Sequence, residues 1–425
     1  MKILVISHNV FSDNSSMGRT LSSFFTTSSA DSIAQLYFHS EEPTTNVSNT
    51  YFRITDFDNL KAKKNIGKIF NENDIKHDLK TSRVDTGAKT HIYNIGKKKK
   101  PYMYIGRNLI WSTNKWKNKK LFNWVDDFNP DIIFFASGDY VFAYKIAMAI
   151  AKYKNIPILT YVCDDYYFLK RRSFSPLYYL NKFYFKHTMK KLFKHNKNMI
   201  AICDKASKDY SKEFGVNSET IMTSSKLHST EYSTPNKNTV ISYIGNMGYN
   251  RHKILIKIGN VLSKMPSDIK LDIYSGETRS DIIEELKKCD GINYHGSLSY
   301  DEVIKAMQKS DILIHVESMD NESRNKVRYS VSTKIADSLS MGKCLLAYGP
   351  SDVASIEYLK DNDCACVVTK DDDLAFALQE LITDKNFREK YEVNALNTAK
   401  KYHNSEINCK KFKEIISNMV NTRNK

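Results

Sequence analysis

The chain has 425 residues, with 64 Lys and Arg against 48 Asp and Glu, a formal net charge of +16. At roughly 100–200 residues per domain this is material for two domains. A hydrophobic fraction of 41%, with 21 Phe and 26 Tyr, fills two cores and excludes global disorder. No run approaches the roughly 18 apolar residues that a membrane-spanning helix needs. Met1–Ser7 has one basic residue and a short apolar run, so it reads as a buried first strand rather than a signal peptide, and the expected compartment is the cytoplasm.

In chain order, strands are predicted at 2–7, 33–38, 131–136, 157–162, 198–202 and 219–223, then at 239–244, 269–274, 311–316, 343–348 and 364–368. Helical stretches separate them, among them 141–153, 252–264, 280–288, 300–309 and 372–383. This alternation is the pattern of parallel βαβ units. The polar, aperiodic segment 224–238 with Pro235 reads as a linker. The expected architecture is therefore α/β, two Rossmann-like doubly wound domains facing each other across a cleft, with the ligand at the carboxyl ends of the strands. Residues 1–223 form the first domain and 239–400 the second, and 401–425 are expected to be helical, either packing back toward the N-terminal half or forming a tail. The seven cysteines are scattered, mostly inside apolar runs, and imply no disulfide framework. Cys364 and Cys366 lack a second cluster and read as strand residues, so no metal site is expected.

The excess charge is local. Residues 86–125 and 166–203 contain no acid but ten and nine basic residues, interleaved with aromatics, and outside these windows acids outnumber bases. Such a mixture suits an anionic membrane surface. It also suits single-stranded nucleic acid, or ordinary solvated helix faces. The membrane reading is favoured, and no nucleic-acid partner is expected.

Two segments carry chemistry. In the first, the strand at 239–244 runs into Gly245-Asn246-Met247-Gly248-Tyr249-Asn250-Arg251 and then a helix. Glycines that allow backbone approach, followed by an Arg at a helix start, form a natural receptor for a diphosphate. In the second, Ser332 or Thr333 can N-cap a short helix, Ile335 and Leu339 supply its apolar face, and Gly342 closes it. Lys334 in the first turn opposes the helix dipole by about 0.3–1 kcal/mol. A bound phosphate would resolve this; the alternative is a local pair with Asp337, worth about 0.2–0.5 kcal/mol.

These segments, with Gly276, His295-Gly296 and Ser310–His315, resemble the donor half of glycosyltransferase family 4 over about 239–400. The resemblance implies a GT-B fold and a retaining, metal-independent enzyme without cofactor that uses a UDP- or GDP-sugar. It places Arg251 at the Lys of the family's Arg-x4-Lys diphosphate clamp, with Asn246 where the Arg would be. Asp337 falls at the second Glu of the Glu-x7-Glu signature, which holds the donor ribose. Tyr329 falls at the first, for which Glu317 or Glu322 would have to substitute. Ser332 and Thr333 lie where backbone amides meet the phosphates, and Gly18 is what remains of a Gly-rich loop after the first strand, ahead of a helix opening at Thr20. Cys163 stands at a His position, which leaves Asp164 or Asp165 at the strand end. Asp164 is expected to orient the acceptor hydroxyl, unless it merely caps the next helix. Catalytic candidates are thus Asp164, Arg251 and Lys334, and donor-binding candidates are Gly18, Gly245, Asn246, Arg251, Ser332, Thr333, Lys334 and Asp337. The implied reaction adds a sugar to a lipid-linked or glycan acceptor of a bacterial surface polysaccharide at the inner membrane face. The alternatives are a non-hydrolysing sugar-nucleotide epimerase on the same fold and a non-enzymatic RNA-binding protein.

Overall fold

The structure is a computed structural model that describes residues 1–12, 16–25, 31–61, 65–75, 100–227, 239–266 and 268–423. Lys89, Lys97 to Lys99 and the linker residues 228–238 lie outside the described residues. The chain divides into two compact units: unit 1 is Met1–Ile221 with Asn408–Lys425, and unit 2 is Met222–Ile407.

Unit 1 carries strands β1 (Lys2–Ser7), β2 (Ser32–Tyr37), β3 (Thr50–Arg53), β4 (Lys68–Asn71), β5 (Ile132–Ser137), β6 (Ile158–Val162), β7 (Asn198–Ala201) and β8 (Asn217–Thr220). Its helices are α1 (Ser16–Ser22), α2 (Asp56–Lys61), α3 (Pro101–Ser112), α4 (Lys119–Phe128), α5 (Val141–Lys154), α6 (Pro176–His195) and α7 (Asp204–Phe214). Unit 2 carries β9 (Ile241–Ile244), β10 (Leu271–Tyr274), β11 (Ile292–Gly296), β12 (Ile312–Val316), β13 (Cys344–Tyr348) and β14 (Cys366–Val368). Its helices are α8 (Arg251–Leu262), α9 (Ser280–Lys287), α10 (Tyr300–Lys309), α11 (Asn321–Val327), α12 (Thr333–Ser340), α13 (Ala354–Asp361), α14 (Leu374–Thr383) and α15 (Lys385–Tyr402), and α16 (Ser405–Arg423) completes unit 1.

Both sheets are doubly wound. The first runs β4-β3-β2-β1-β5-β6-β7-β8, parallel except for β3 against β4. The second, β11-β10-β9-β12-β13-β14, is parallel throughout. Central strands such as β5, β6, β12 and β13 read as near-continuous apolar runs because helices cover both faces. The order reverses between β1 and β5 in unit 1 and between β9 and β12 in unit 2. At such switch points the loops after the two strands diverge and open a crevice for ligand.

The sequence reading placed the last strand of unit 1 at 219–223; β8 lies a little earlier, at Asn217–Thr220. It did not anticipate β3, β4 or β11. The alternating exposure of β11 and the polar edge strand β4, with Lys68 and Asn71 outward, weaken the apolar signal on which strand reading rests. The two last helices divide between the units: α15 packs on α12 and β13 in unit 2, whereas α16 packs in unit 1. Phe412 on α16 is buried, its ring 4.9 Å from Phe134 of β5 and 5.1 and 5.4 Å from Phe24 and Phe25.

Candidate donor site at the switch point of unit 2

The loop after β9 is built for close approach. A Cβ at Gly245 would stand 2.8 Å from the Tyr243 hydroxyl, and one at Gly248 3.0 Å from Asn246 Oδ1. Tyr249 and Asn250 both adopt left-handed backbone, φ +60° and +58°, which brings the chain round sharply into α8. For a bulky tyrosine that conformation costs about 1–2 kcal/mol. Strain of this kind persists where surrounding contacts over-determine it; here Asn250 donates to Asp320 at 3.1 Å and the Arg251 guanidinium stacks on the Tyr249 ring at 5.5 Å.

Arg251, the first residue of α8, reaches across the switch point. Its Nη2 donates to both carboxylate oxygens of Glu317, at 2.8 and 2.9 Å, and its Nε donates to Glu317 Oε2 at 3.1 Å and to the Val316 carbonyl at 3.2 Å. Nη1 donates to Asn246 Oδ1 at 2.9 Å. Glu317 directly follows β12, and its side chain is 2% exposed against 12% for Arg251. Burial raises the Glu317 pKa, with Arg251 opposing the shift. For Arg251 burial disfavours the charge, but Glu317 more than restores it, so the guanidinium pKa lies above its ordinary value. His315, also on β12, donates to or accepts from Ser355 Oγ at 3.0 Å and lies 3.8 Å from Glu317. Burial, aided by Arg251, depresses its pKa to about 3, so its imidazole is neutral at physiological pH. Asp320, which caps α11, has its carboxyl pKa lowered despite burial by bonds from Ser318, the Ser323 amide and Asn250.

The second predicted segment forms as expected in outline. Ser332 N-caps α12, its hydroxyl accepting the Lys334 amide at 3.2 Å, and Gly342 follows the helix at φ +65°. α12 connects α11, at the carboxyl end of β12, to the start of β13, so Ser332, Thr333 and Lys334 face the carboxyl side of the sheet. Lys334 Nζ lies 3.7 Å from Asp337 Oδ2, so the local pair forms. Asp337 Oδ1 also accepts the Ser225 hydroxyl at 2.8 Å, from the segment that opens unit 2.

Predicted residues therefore fall into groups. Gly245, Asn246 and Arg251 come together, joined by Glu317; Ser332, Thr333, Lys334 and Asp337 share the first turns of α12. Tyr329 is buried, 1% exposed. Gly18 and Asp164 belong to unit 1. Gly18 corrects the sequence reading: it sits inside α1, its carbonyl accepting Ser22 Oγ, because the helix starts four residues before Thr20. The adjacent acids after β6 part company. Buried Asp165 accepts the Phe168 and Leu169 amides and so organises the turn, while Asp164 accepts the Tyr166 hydroxyl at 3.1 Å.

A polar cluster that the sequence alone does not assemble lies at the switch point of unit 1. Asp139, in the turn after β5, accepts Tyr104 Oη at 2.8 Å. The His8 ring lies 4.3 Å from Tyr140, which the Arg107 guanidinium covers at 4.1 Å while pairing with Asp56 at 2.8 Å. The Gly138-Asp139 turn directly after an apolar strand was the available signal. Among the described residues no three His, Cys, Asp or Glu side chains gather as a metal ion would require, and no helix is long and apolar enough to cross a membrane.

The sequence model of the family described as "Glycosyl transferase-like" matches residues 260–414, which lie largely in unit 2. No curated protein matches the chain in sequence. Solved structures align along nearly the whole chain at low identity. Sucrose-phosphate synthase from Thermosynechococcus elongatus covers 99% of both chains at 10% identity, TM-score 0.62. HepE from Anabaena in complex with UDP covers 98% of this chain and 100% of its own at 11% identity, TM-score 0.62. A glycosyltransferase from Rickettsia africae covers 99% and 98% at 14% identity, TM-score 0.58. The fold is thus GT-B, two parallel-sheet α/β domains. With the family match in the unit that carries the switch-point site, the class is defined: a transferase of the glycosyltransferase superfamily.

Proposed function

We propose that the protein is a retaining, metal-independent glycosyltransferase of family 4. It transfers a sugar from a UDP- or GDP-sugar to a lipid-linked glycan acceptor of a bacterial surface polysaccharide, at the cytoplasmic face of the membrane. The observation that carries this reading is the arrangement at the β9/β12 switch point, where a Gly-containing loop, Asn246 and Arg251, its side chain 12% exposed, converge. A guanidinium there is preorganised to meet charge that develops on a leaving diphosphate. Its fork is occupied by Glu317, so the donor phosphates meet the Nη1 edge beside Asn246, and Arg251 acts mainly through its field. The α12 N-terminus supplies the Thr333 amide and the positive end of the helix dipole, while the Lys334 amide is held by the Ser332 hydroxyl. A phosphate there draws Lys334 from its long contact with Asp337. Asp337 accepts the donor ribose once Ser225 yields, and Asp164 in unit 1 orients the acceptor hydroxyl. UDP in the HepE structure supports a nucleotide-linked donor.

The test is thermal unfolding in EDTA with UDP, GDP, CDP and dTDP. A nucleotide at about 100 times its dissociation constant adds about 2.7 kcal/mol, a shift of several degrees. Stabilisation by one of them, lost in Lys334→Ala, is the expected result. Absence of any response, or a response that needs divalent metal, overturns the donor assignment.

A further inference from the structure

α6 is apolar on two faces. Its inward residues, Phe185, Thr188, Met189, Leu192 and Phe193, are buried against unit 1. Yet the opposite face of its first two turns is apolar as well: Leu177, Leu180 and Phe183, spaced three residues apart, are exposed, Phe183 at 72%, with Tyr179 beside them. Phe174, in the loop just before the helix, is completely exposed. Packing inside unit 1 does not account for five large apolar side chains held in water on one helix and its leading loop, and such a patch marks an interaction surface.

Its electrostatic frame identifies the partner. Exposed Lys170, Arg171 and Arg172 precede Phe174, and exposed Lys190, Lys191 and Lys194 continue the outward face of the helix toward its C-terminus. No Asp or Glu occurs between residues 166 and 203. α3 packs beside α6, Asn108 donating to Asn181 at 2.8 Å, and adds exposed Tyr102 and Leu109 with no acid of its own. Among the described residues, Glu213 lies 3.9 Å from Lys190. Apolar side chains flanked on both sides by cations along one helix face match the layering of an anionic bilayer, with hydrocarbon beneath a plane of negative headgroups.

We infer that α6 and its leading loop dock unit 1 onto an anionic lipid surface, with Phe174, Leu177, Leu180 and Phe183 entering the interface and the flanking Lys and Arg residues holding the headgroups. The inference deepens the lipid-linked acceptor reading and draws its purpose from it, but its test reads lipid binding alone. The experiment is vesicle co-sedimentation of the full chain, with phosphatidylcholine alone and with phosphatidylcholine mixed with phosphatidylglycerol. Wild type binds the mixed vesicles in a salt-sensitive way and not the neutral ones. Phe174→Ser/Phe183→Ser lowers partitioning at least roughly tenfold, whereas Phe376→Ser, at an exposed ring of unit 2, leaves it unchanged. In Phe183→Trp the new indole emission shifts to the blue on vesicles and is quenched by brominated lipid. Failure of wild type to bind mixed vesicles, or equal binding by the double variant, overturns the inference. So does a wild-type dimer that the double variant makes monomeric, since the face would then cover a second copy. Nucleotide-dependent stabilisation, measured in parallel on the double variant, stays at the wild-type level and separates this outcome from failure of the donor reading.

Discussion

The Arg251–Glu317 pair makes a prediction whose size follows from burial. Removing Arg251 as Arg251→Met leaves Glu317 at 2% exposure beside neutral His315, 3.8 Å away. A carboxylate so placed is better protonated, and taking it from its ordinary pKa of 4.5 to a proton-bound state at pH 7 costs up to about 3.4 kcal/mol, at 1.36 kcal/mol per unit. At pH 5 the same step costs only about 0.7 kcal/mol. In the variant the folded Glu317 binds its proton above the pH at which the unfolded one does. The deficit relative to wild type therefore shrinks by about 2–3 kcal/mol as pH falls from 7 to 5. Loss of the Arg251 charge also eases protonation of His315, which moves in the same direction. Glu317→Leu leaves a buried guanidinium without a counter-charge and costs about 3–5 kcal/mol, with no such recovery. The double variant costs less than the sum of the two, by about 3 kcal/mol. Hydrogen exchange of peptides spanning β9 and β12 reads unit 2 separately from unit 1. Additive single effects, or an Arg251→Met deficit independent of pH, would refute the reasoning.

Three further predictions follow from packing and titration. His403, held between the Tyr358 hydroxyl at 2.9 Å and the Thr223 carbonyl at 2.7 Å, has its pKa pushed down by burial to about 4. The unfolded histidine binds its proton first, so this group's stabilisation is present above about pH 6.5 and is lost as pH falls toward 4; between pH 7 and 5 the loss is about 2 kcal/mol, and His403→Asn removes that slope from the pH profile of unit 2 unfolding. Phe412→Ala opens a cavity among Phe24, Phe25 and Phe134 and costs unit 1 about 3–5 kcal/mol, while exchange in β9 and β12 stays unchanged. A Cβ at Gly291 would stand 1.9 Å from the Gly259 carbonyl oxygen of α8, so Gly291→Ala forces α8 off β11 and costs about 3 kcal/mol, read as faster exchange in β10 and β11.

The parallel strands were legible because burial on both faces makes them continuous apolar runs: β5 and β12 need no context to be recognised. β3, β4 and β11 were not, since each is short or lies at a sheet edge and owes its place to register with a neighbour rather than to its own composition. At the site, Ser332 as N-cap and Gly342 as the residue after the helix could be read locally. The partner of Arg251 could not, because Glu317 is 66 residues away in sequence and meets it only once β9 and β12 lie side by side. Gly18 misled for the opposite reason: the family resemblance placed it in a Gly-rich loop, whereas the chain is helical through it.

The return of α16 to unit 1 has a consequence for how the molecule comes into being. The aromatic hollow around Phe24, Phe25 and Phe134 waits for a ring encoded more than four hundred residues after the first strand. During synthesis all of unit 2 leaves the ribosome before unit 1 can close, so the N-terminal half spends that interval with an unfilled apolar surface and depends on unit 2 to deliver its last helix. A chain that ends prematurely just after Ile407 thus loses no mere appendage. It retains an intact unit 2 and a first unit that never receives its final piece.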